Sequence, residues 1–328
     1  MIVQLIKPEQ NSIYDISDAI ESVSWSGSIL SAGRSLEFSI LNNPYDPDLK
    51  LPLVSVGDYI SFLIEAEELF YGQIFSIERS ASIGTITYTA YDMMKNLLES
   101  TGKYNFKNTT PEAITAQVLA DIQVPYSYLE PTGINIKSML CDSKTYYDII
   151  MGAYTQAYKV TGNRYLPMIW QRAFGVWLAV YTVGNFVLSD DLNMTATSIS
   201  ETLDGIKNKI RIYDDKGKQV GEVKDDSSLQ KFGTFQDIYT IEKGVDSTTA
   251  AKNMLKVNPE QTISLSAIGD KNCLSGYSVT VKDTATGLSG KYWIKTDKHT
   301  WQNGTYLMEL ELSFEQLMDE KEIDEEKE

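Results

Sequence analysis

The chain is 328 residues long, 42% hydrophobic and 23% charged, with a formal net charge of −16. At that length it can bury a sizeable core without a disulfide or metal staple, and two or three domains are expected. The acidity excludes a phosphate-tracking nucleic-acid binder and disfavours an anionic membrane face, while a single histidine, His299, excludes a multi-histidine metal centre.

The first residues lack the basic start and apolar run of a secretory signal, so synthesis in a reducing cytoplasm is expected. Cys141 and Cys273 lie far apart and form no CxxC pair. The longest apolar stretch, Phe174 to Val183, falls short of the roughly 20 residues that span a bilayer, so no membrane insertion is expected.

Residues 1–100 read as strand after strand. Ser35–Ile40, Tyr59–Ile64 and Thr85–Ala90 alternate polar with apolar and β-branched or aromatic residues, the period of half-buried antiparallel strands. Asn42–Pro47, Gly57-Asp58 and Gly84 supply turn chemistry, and a small β-barrel or sandwich is predicted. Residues 101–189 change period. Thr109-Thr110-Pro111-Glu112 opens a helix with a threonine cap, a first-turn proline and a capping-box glutamate. A second helix follows Ser143, with Tyr146, Ile149, Ile150, Ala153, Tyr154 and Ala157 on one face. Leu166–Arg172 and Gly175–Val183 then form an aromatic hairpin, making this region an α+β insert.

Residues 190–230, with a strand at Lys207–Tyr213, read as the start of a second barrel, and 231–261 as a linker whose helix, Thr248–Lys256, is capped by Ser247. Strands resume over 262–318. The last ten residues, Asp319–Glu328, carry seven acids against two lysines and read as a solvated, disordered tail.

Two stretches align. Gly57-Asp58 before a strand, Gly72 in the next and Gly84-Thr85 at a third match Gly276, Gly290 and Gly304-Thr305. Glycine-turned meanders are common, so duplication and chance both account for the pattern. If it is a duplication, a trimer of such chains presents six similar modules about a threefold axis.

The residues offer no convincing active site. Glu65-Ala66-Glu67-Glu68 reads as a solvated hairpin tip. Asp297 and His299 would share one face of a strand, where an Asp–His pair can orient a base, but no nucleophile motif accompanies them. The sequence contains no glycine-rich phosphate loop and no complete EF-hand spacing. Trp170, Trp177, Tyr181 and Phe186 suit a carbohydrate groove, a core or a subunit interface. No catalytic, cofactor-binding or metal residue is assigned.

Val23-Ser24-Trp25-Ser26-Gly27, Gly33-Arg34-Ser35-Leu36-Glu37-Phe38, Gly290-Lys291-Tyr292-Trp293-Ile294, Asp297-Lys298-His299 and Gly304–Leu310 come in an order that resembles one family. It is the XkdQ-like baseplate hub of contractile phage tails and phage-tail-like particles, related to the late control protein D hubs. Lys231–Asp237 and the alanine-rich helix at 250–255 resemble that family's linker. The resemblance implies a mainly β fold with α+β inserts and two tube-like antiparallel β-barrels per chain. It further implies a homotrimer forming a pseudo-hexameric ring around a channel, located in a virion or tail-like particle. Its implied partners are itself, the tail tube, the central spike, and tape-measure and other baseplate proteins, with no cofactor.

Trp25, Gly27, Arg34, Glu37 and Phe38, with Gly276, Gly290, Asp297, His299 and Gly304, would be structural residues rather than catalytic ones. The acidity would suit a channel lining that repels passing DNA. A peptidoglycan-degrading tail enzyme, a tube or adaptor protein and a carbohydrate-binding receptor stand as alternatives.

Overall fold

The computed structural model describes residues 1–43, 51–79, 84–241 and 246–323. The expected turn from Pro44 to Pro47 lies outside them. The chain divides into one unit of residues 1–197 and 264–328 and a second of residues 198–263.

The large sheet is organised by two sets of strands. One comprises Ile2–Lys7, Ile20–Ser28, Ser31–Asn42, Tyr59–Ile64, Glu67–Glu78 and Gly84–Tyr91. The other comprises Thr182–Ser189, Met194–Thr202, Glu260–Ile268, Ser278–Lys282, Ser289–Gln302 and Thr305–Ser313. Counted along the chain, both sets pair side by side in the order second, third, sixth, fifth, fourth, first. Period-two alternation directs the core: Leu36, Phe38 and Ile40 are buried while Ser35, Glu37 and Ser39 face away.

The agreement extends to individual hydrogen bonds. Gly57 N donates to Ile74 O at 2.9 Å and Ile74 N to Asp58 O at 2.8 Å; Gly276 N donates to Ile294 O at 2.8 Å and Ile294 N to Tyr277 O at 2.8 Å. A register shift follows each isoleucine, between Ile74 and Ser76 and between Ile294 and Thr296. Bulges re-aim a strand at a defined residue, so the same bulge after the same contact is hard to meet by chance. The structural match keeps Gly57 with Gly276. It places Gly72 opposite Tyr292, and Gly84 opposite Tyr306, displacing the other two sequence anchors by two residues. One difference remains: the first strand is antiparallel to the fourth in one set and parallel in the other.

Neither set closes into the expected barrel. Ile20–Ser28 pairs instead with Ser289–Gln302, joining both sets, with the short strand Ser12–Asp15 beside Ile2–Lys7, into a single 13-stranded sheet. In the first set, closure would need the Ile20–Ser28 edge that this joint occupies.

The insert follows helix Met94–Glu99. Thr101–Thr109 pairs with Ile136–Thr145, and helices Pro111–Asp121 and Tyr146–Thr161 pack together. Thr110 Oγ1 accepts from Ala113 N and Thr145 Oγ1 from Asp148 N, the bonds expected of caps. Glu112 does not complete a capping box; its carboxylate accepts from the Thr132 amide and hydroxyl. Ile149, Ile150, Ala153, Tyr154 and Ala157 are buried against Ile114, Val118 and Phe174. The aromatic hairpin forms between Tyr165–Trp170 and Ala173–Leu178.

The expected acidic tail is packed through its first half. Tyr147 OH donates to Asp319 Oδ2 at 2.9 Å, Lys321 N donates to Thr155 Oγ1, and Ile323 is buried against Gly152. Two buried apolar residues, Met318 just before it and Ile323 within it, hold it despite the charges.

The second unit corrects the expected boundaries at 190–230 and 231–261. Its central strand, Lys209–Tyr213, pairs antiparallel with Gln219–Lys224 and parallel with Gln236–Thr240, which lies in the expected linker. Ile210, Ile212, Val223 and Ala251 form its own core. The helix spans Ser247–Asn253 and its cap is Asp246, one residue before the serine.

Candidate functional site

The in-chain joint gathers Trp25, Gly27, Arg34, Asp297 and His299, half of the ten singled-out residues. Ile20–Ser28 and Ser289–Gln302 run antiparallel with His299 opposite Trp25 and Asp297 opposite Gly27. From the neighbouring strand, Arg34 lays its guanidinium 4.0 Å from the Trp25 ring centre and donates to both Asp297 oxygens, Nη1 to Oδ1 at 3.0 Å and Nη2 to Oδ2. Asp297 Oδ1 also accepts from Ser275 N at 2.6 Å. Asp297 is fully buried; burial pushes its carboxyl up, but Arg34 and His299 outweigh it and hold it well below the usual carboxylate range.

His299 is likewise buried. Its Nε2 lies 3.1 Å from Cys273 O and its Nδ1 2.9 Å from Tyr306 OH, with Asp297 Oδ2 at 3.4 Å. A carbonyl only accepts, so Nε2 carries the hydrogen. The Asp–His proximity predicted from strand period is real, but both side chains are sealed in the joint, and burial pushes the nearby Cys273 thiol far up. This is packing geometry, not an accessible base.

Gly27 is explained by space. A Cβ there would meet Arg34 Nη1 at 2.3 Å and Cζ at 2.8 Å. The guanidinium is pinned by Asp297 and cannot swing away, so Gly27→Ala is expected to cost about 1–3 kcal/mol through overpacking. The shift of the denaturant midpoint measures it.

Asp92 supports the joint from below. It accepts from Arg34 N at 3.2 Å and Met94 N at 3.0 Å, starting the helix into the insert. Burial pushes its carboxyl up to about 7 from 3.8, against those two backbone amides. A folded value above the unfolded one favours folding below about pH 4, and this contribution is lost as pH rises through about 7. Asp92→Asn is expected to flatten the fall in stability across that window, read by denaturation at a series of pH values.

Glu37 and Phe38 lie near the joint without joining it: Phe38 is core, Glu37 is exposed. Gly276 and Gly304 are at turns, and Gly290 lies in the strand Ser289–Gln302 opposite Val281. Asn303, with a left-handed φ of 51°, and Gly304 at 74° make the two-residue turn into the last strand, a conformation suited to Asn-Gly.

Trp25 and Arg34 also line a cleft of about 600 Å³ that reaches Tyr71, Trp170, Arg172 and Tyr277. Here the hairpin-tip reading needs correction. Glu68 is partly buried; it accepts from Ser61 and bidentately from Arg172 of the insert, contacts that outweigh burial and hold its carboxyl below the usual value. Trp170, Trp177 and Tyr181 border an adjoining apolar hollow of about 370 Å³, which Phe186 does not line. Sequence reasoning missed Arg34–Asp297, Asp92 and Glu68–Arg172; the one sequence signal was an arginine inside an alternating strand. Among the described residues no group of three or more His, Cys, Asp or Glu is placed to hold a metal ion.

Residues 23–313 match the YQBQ-like family. The chain is 29% identical to YqbQ and 28% identical to the phage-like element PBSX protein XkdQ, both of Bacillus subtilis, each over 89% of this chain and 91% of the relative. Its fold is similar to the 43 kDa tail protein of prophage MuSo2 from Shewanella oneidensis, with a TM-score of 0.73 at 14% identity over 95% of this chain and 98% of that one. With the match running from the strand of Trp25 to the last strand of the second set, the chain belongs to the YQBQ-like family.

Proposed function

We propose that the protein is a structural, non-enzymatic hub of a phage-type tail baseplate. In this reading it assembles as a homotrimer whose six sheet modules ring a channel, matching a six-fold tail tube on one face and a three-fold spike on the other. The duplicated strand order with its repeated bulge carries the reading: one chain holding two like modules is what lets three chains present six. The likeness to XkdQ and to a prophage tail protein supports the tail setting. The net charge of −16 suits a channel lined by carboxylates, through which DNA passes without sticking.

Native mass measurement of the purified chain, alone and with the tube and spike proteins of its own particle, tests this. Three chains per complex are expected in at least one mixture; a monomer in every mixture overturns the reading. Clearing of a bacterial cell-wall gel by the purified protein would instead favour a peptidoglycan-degrading enzyme.

A further inference from the structure

The cleft beside the joint has no part in the hub reading, and its lining is graded. Trp25, Phe70 and Leu274 are buried and form a floor, whereas Trp170 and Tyr181 are about half exposed and form a rim. Met168, Trp170, Tyr181 and Tyr277 also border the adjoining apolar hollow, so the two spaces run together. At about 600 Å³ the cleft alone has the size of a small-molecule site. Two donors at its floor lack a partner. Trp25 Nε1 and Arg34 Nε are buried and make no hydrogen bond, although Arg34 directs its other two nitrogens to Asp297. A buried N–H without an acceptor has lost its water and gained nothing in return. Arg34 is pinned by the ion pair and Trp25 lies beneath its guanidinium, so neither swings away to find an acceptor elsewhere.

The charged lining is already satisfied. Arg172 is held by Glu68 and Lys271 by Glu67, as Arg34 is by Asp297. Among the described residues, therefore, no cation of the cleft is left for a phosphate or carboxylate, and a neutral ligand fits better than an anionic one. One wall is Tyr165–Trp170, the free edge of its three-stranded sheet. That edge carries Pro167, a residue typical of edges that add no further strand, so recognition there falls to side chains.

We propose that this cleft binds a neutral oligosaccharide bearing N-acetyl groups. An acetamido carbonyl accepts from Trp25 Nε1 and Arg34 Nε at the floor, and the sugar rings lie on Trp170 and Tyr181 at the rim. An amide carbonyl has two lone pairs and no hydrogen of its own, so it answers two donors without adding a third. A hydroxyl would bring a donor of its own to a floor lined by Phe70 and Leu274. At the rim, the negative face of an aromatic ring attracts the C–H face of a sugar whose hydroxyls stay in water. The site lies within one chain and stands or falls apart from the hub reading.

Isothermal titration calorimetry of the full chain with triacetylchitotriose tests this. Cellotriose, the same run of sugar rings with hydroxyls in place of the acetamido groups, is the comparison. The acetylated trisaccharide is expected to bind, and cellotriose to bind at least about tenfold more weakly, because it leaves the buried donors unanswered. Trp170→Ala, at a half-exposed rim position, is expected to weaken binding at least about tenfold without moving the thermal midpoint. No binding at about 10 mM, a decade above a millimolar Kd, overturns the proposal. Equal binding of cellotriose overturns it too, as does binding that Trp170→Ala leaves unchanged. If N-acetyltyrosinamide displaces the trisaccharide at equal concentration, the cleft takes a polypeptide carbonyl and the saccharide assignment falls.

Discussion

Asp297→Asn and Arg34→Met are each expected to destabilise the first unit by about 3–5 kcal/mol, the usual cost of leaving one member of a buried ion pair alone. The geometry supports the upper part of that range. Asp297 is fully buried and receives three donors, two from Arg34 and one from Ser275, so its charge has no access to water. Replacing both members, as Arg34→Met with Asp297→Leu, is expected to restore much of the loss, because two apolar side chains need no partner. The pH response has a defined sign. A carboxyl held below its unfolded value stabilises at neutral pH and loses that contribution only as pH falls through its depressed folded value. Urea titrations at neutral pH and near pH 3 check both points: the single variants should differ from the parent more at neutral pH than in acid.

Phe38→Ala is expected to cost about 3–5 kcal/mol, while Glu37→Ala one residue away stays within about 0.5 kcal/mol. The contrast follows from strand period alone. Phe38 is completely buried and its ring stacks on Tyr88 at a centroid distance of 5.1 Å. Truncation removes both the transfer free energy and the filling of that space. Glu37 faces away, exposed. Both residues belong to the same sequence signature, so the pair separates residues that hold the fold from those that merely accompany it. Denaturant midpoints of the two variants read the difference.

Much of this architecture was legible because local chemistry and tertiary role agree. Alternation marked Leu36, Phe38 and Ile40 as core, and the threonine cap read before Pro111 is made by Thr110. The repeat was visible through glycine spacing, but two of its three anchors were displaced by two residues. A two-residue slip leaves every side chain on its own face, so alternation cannot detect it. The Arg34–Asp297 pair joins positions 263 residues apart, and nothing local marks either as the other's partner. The second unit was half legible: the strand at Lys207–Tyr213 and the helix at 248–256 were read, but Gln219–Lys224, Asp226–Phe232 and Gln236–Thr240, five to seven residues each, are too short for periodicity to separate them from linker. The barrel expectation failed at the level of edges: alternation placed the strands, but which edges meet is decided by contacts between distant segments.

The central claim is that one polypeptide carries the same sheet module twice and that, as proposed, three copies set six such modules around a channel. Electron-microscope class averages of the assembled particle, viewed down its axis without imposed symmetry, address it most directly. The account predicts six lobes of similar size around a channel, alternating in detail so that the pattern repeats three times. A closed ring with a single lobe per chain, or six lobes from six chains, would contradict it.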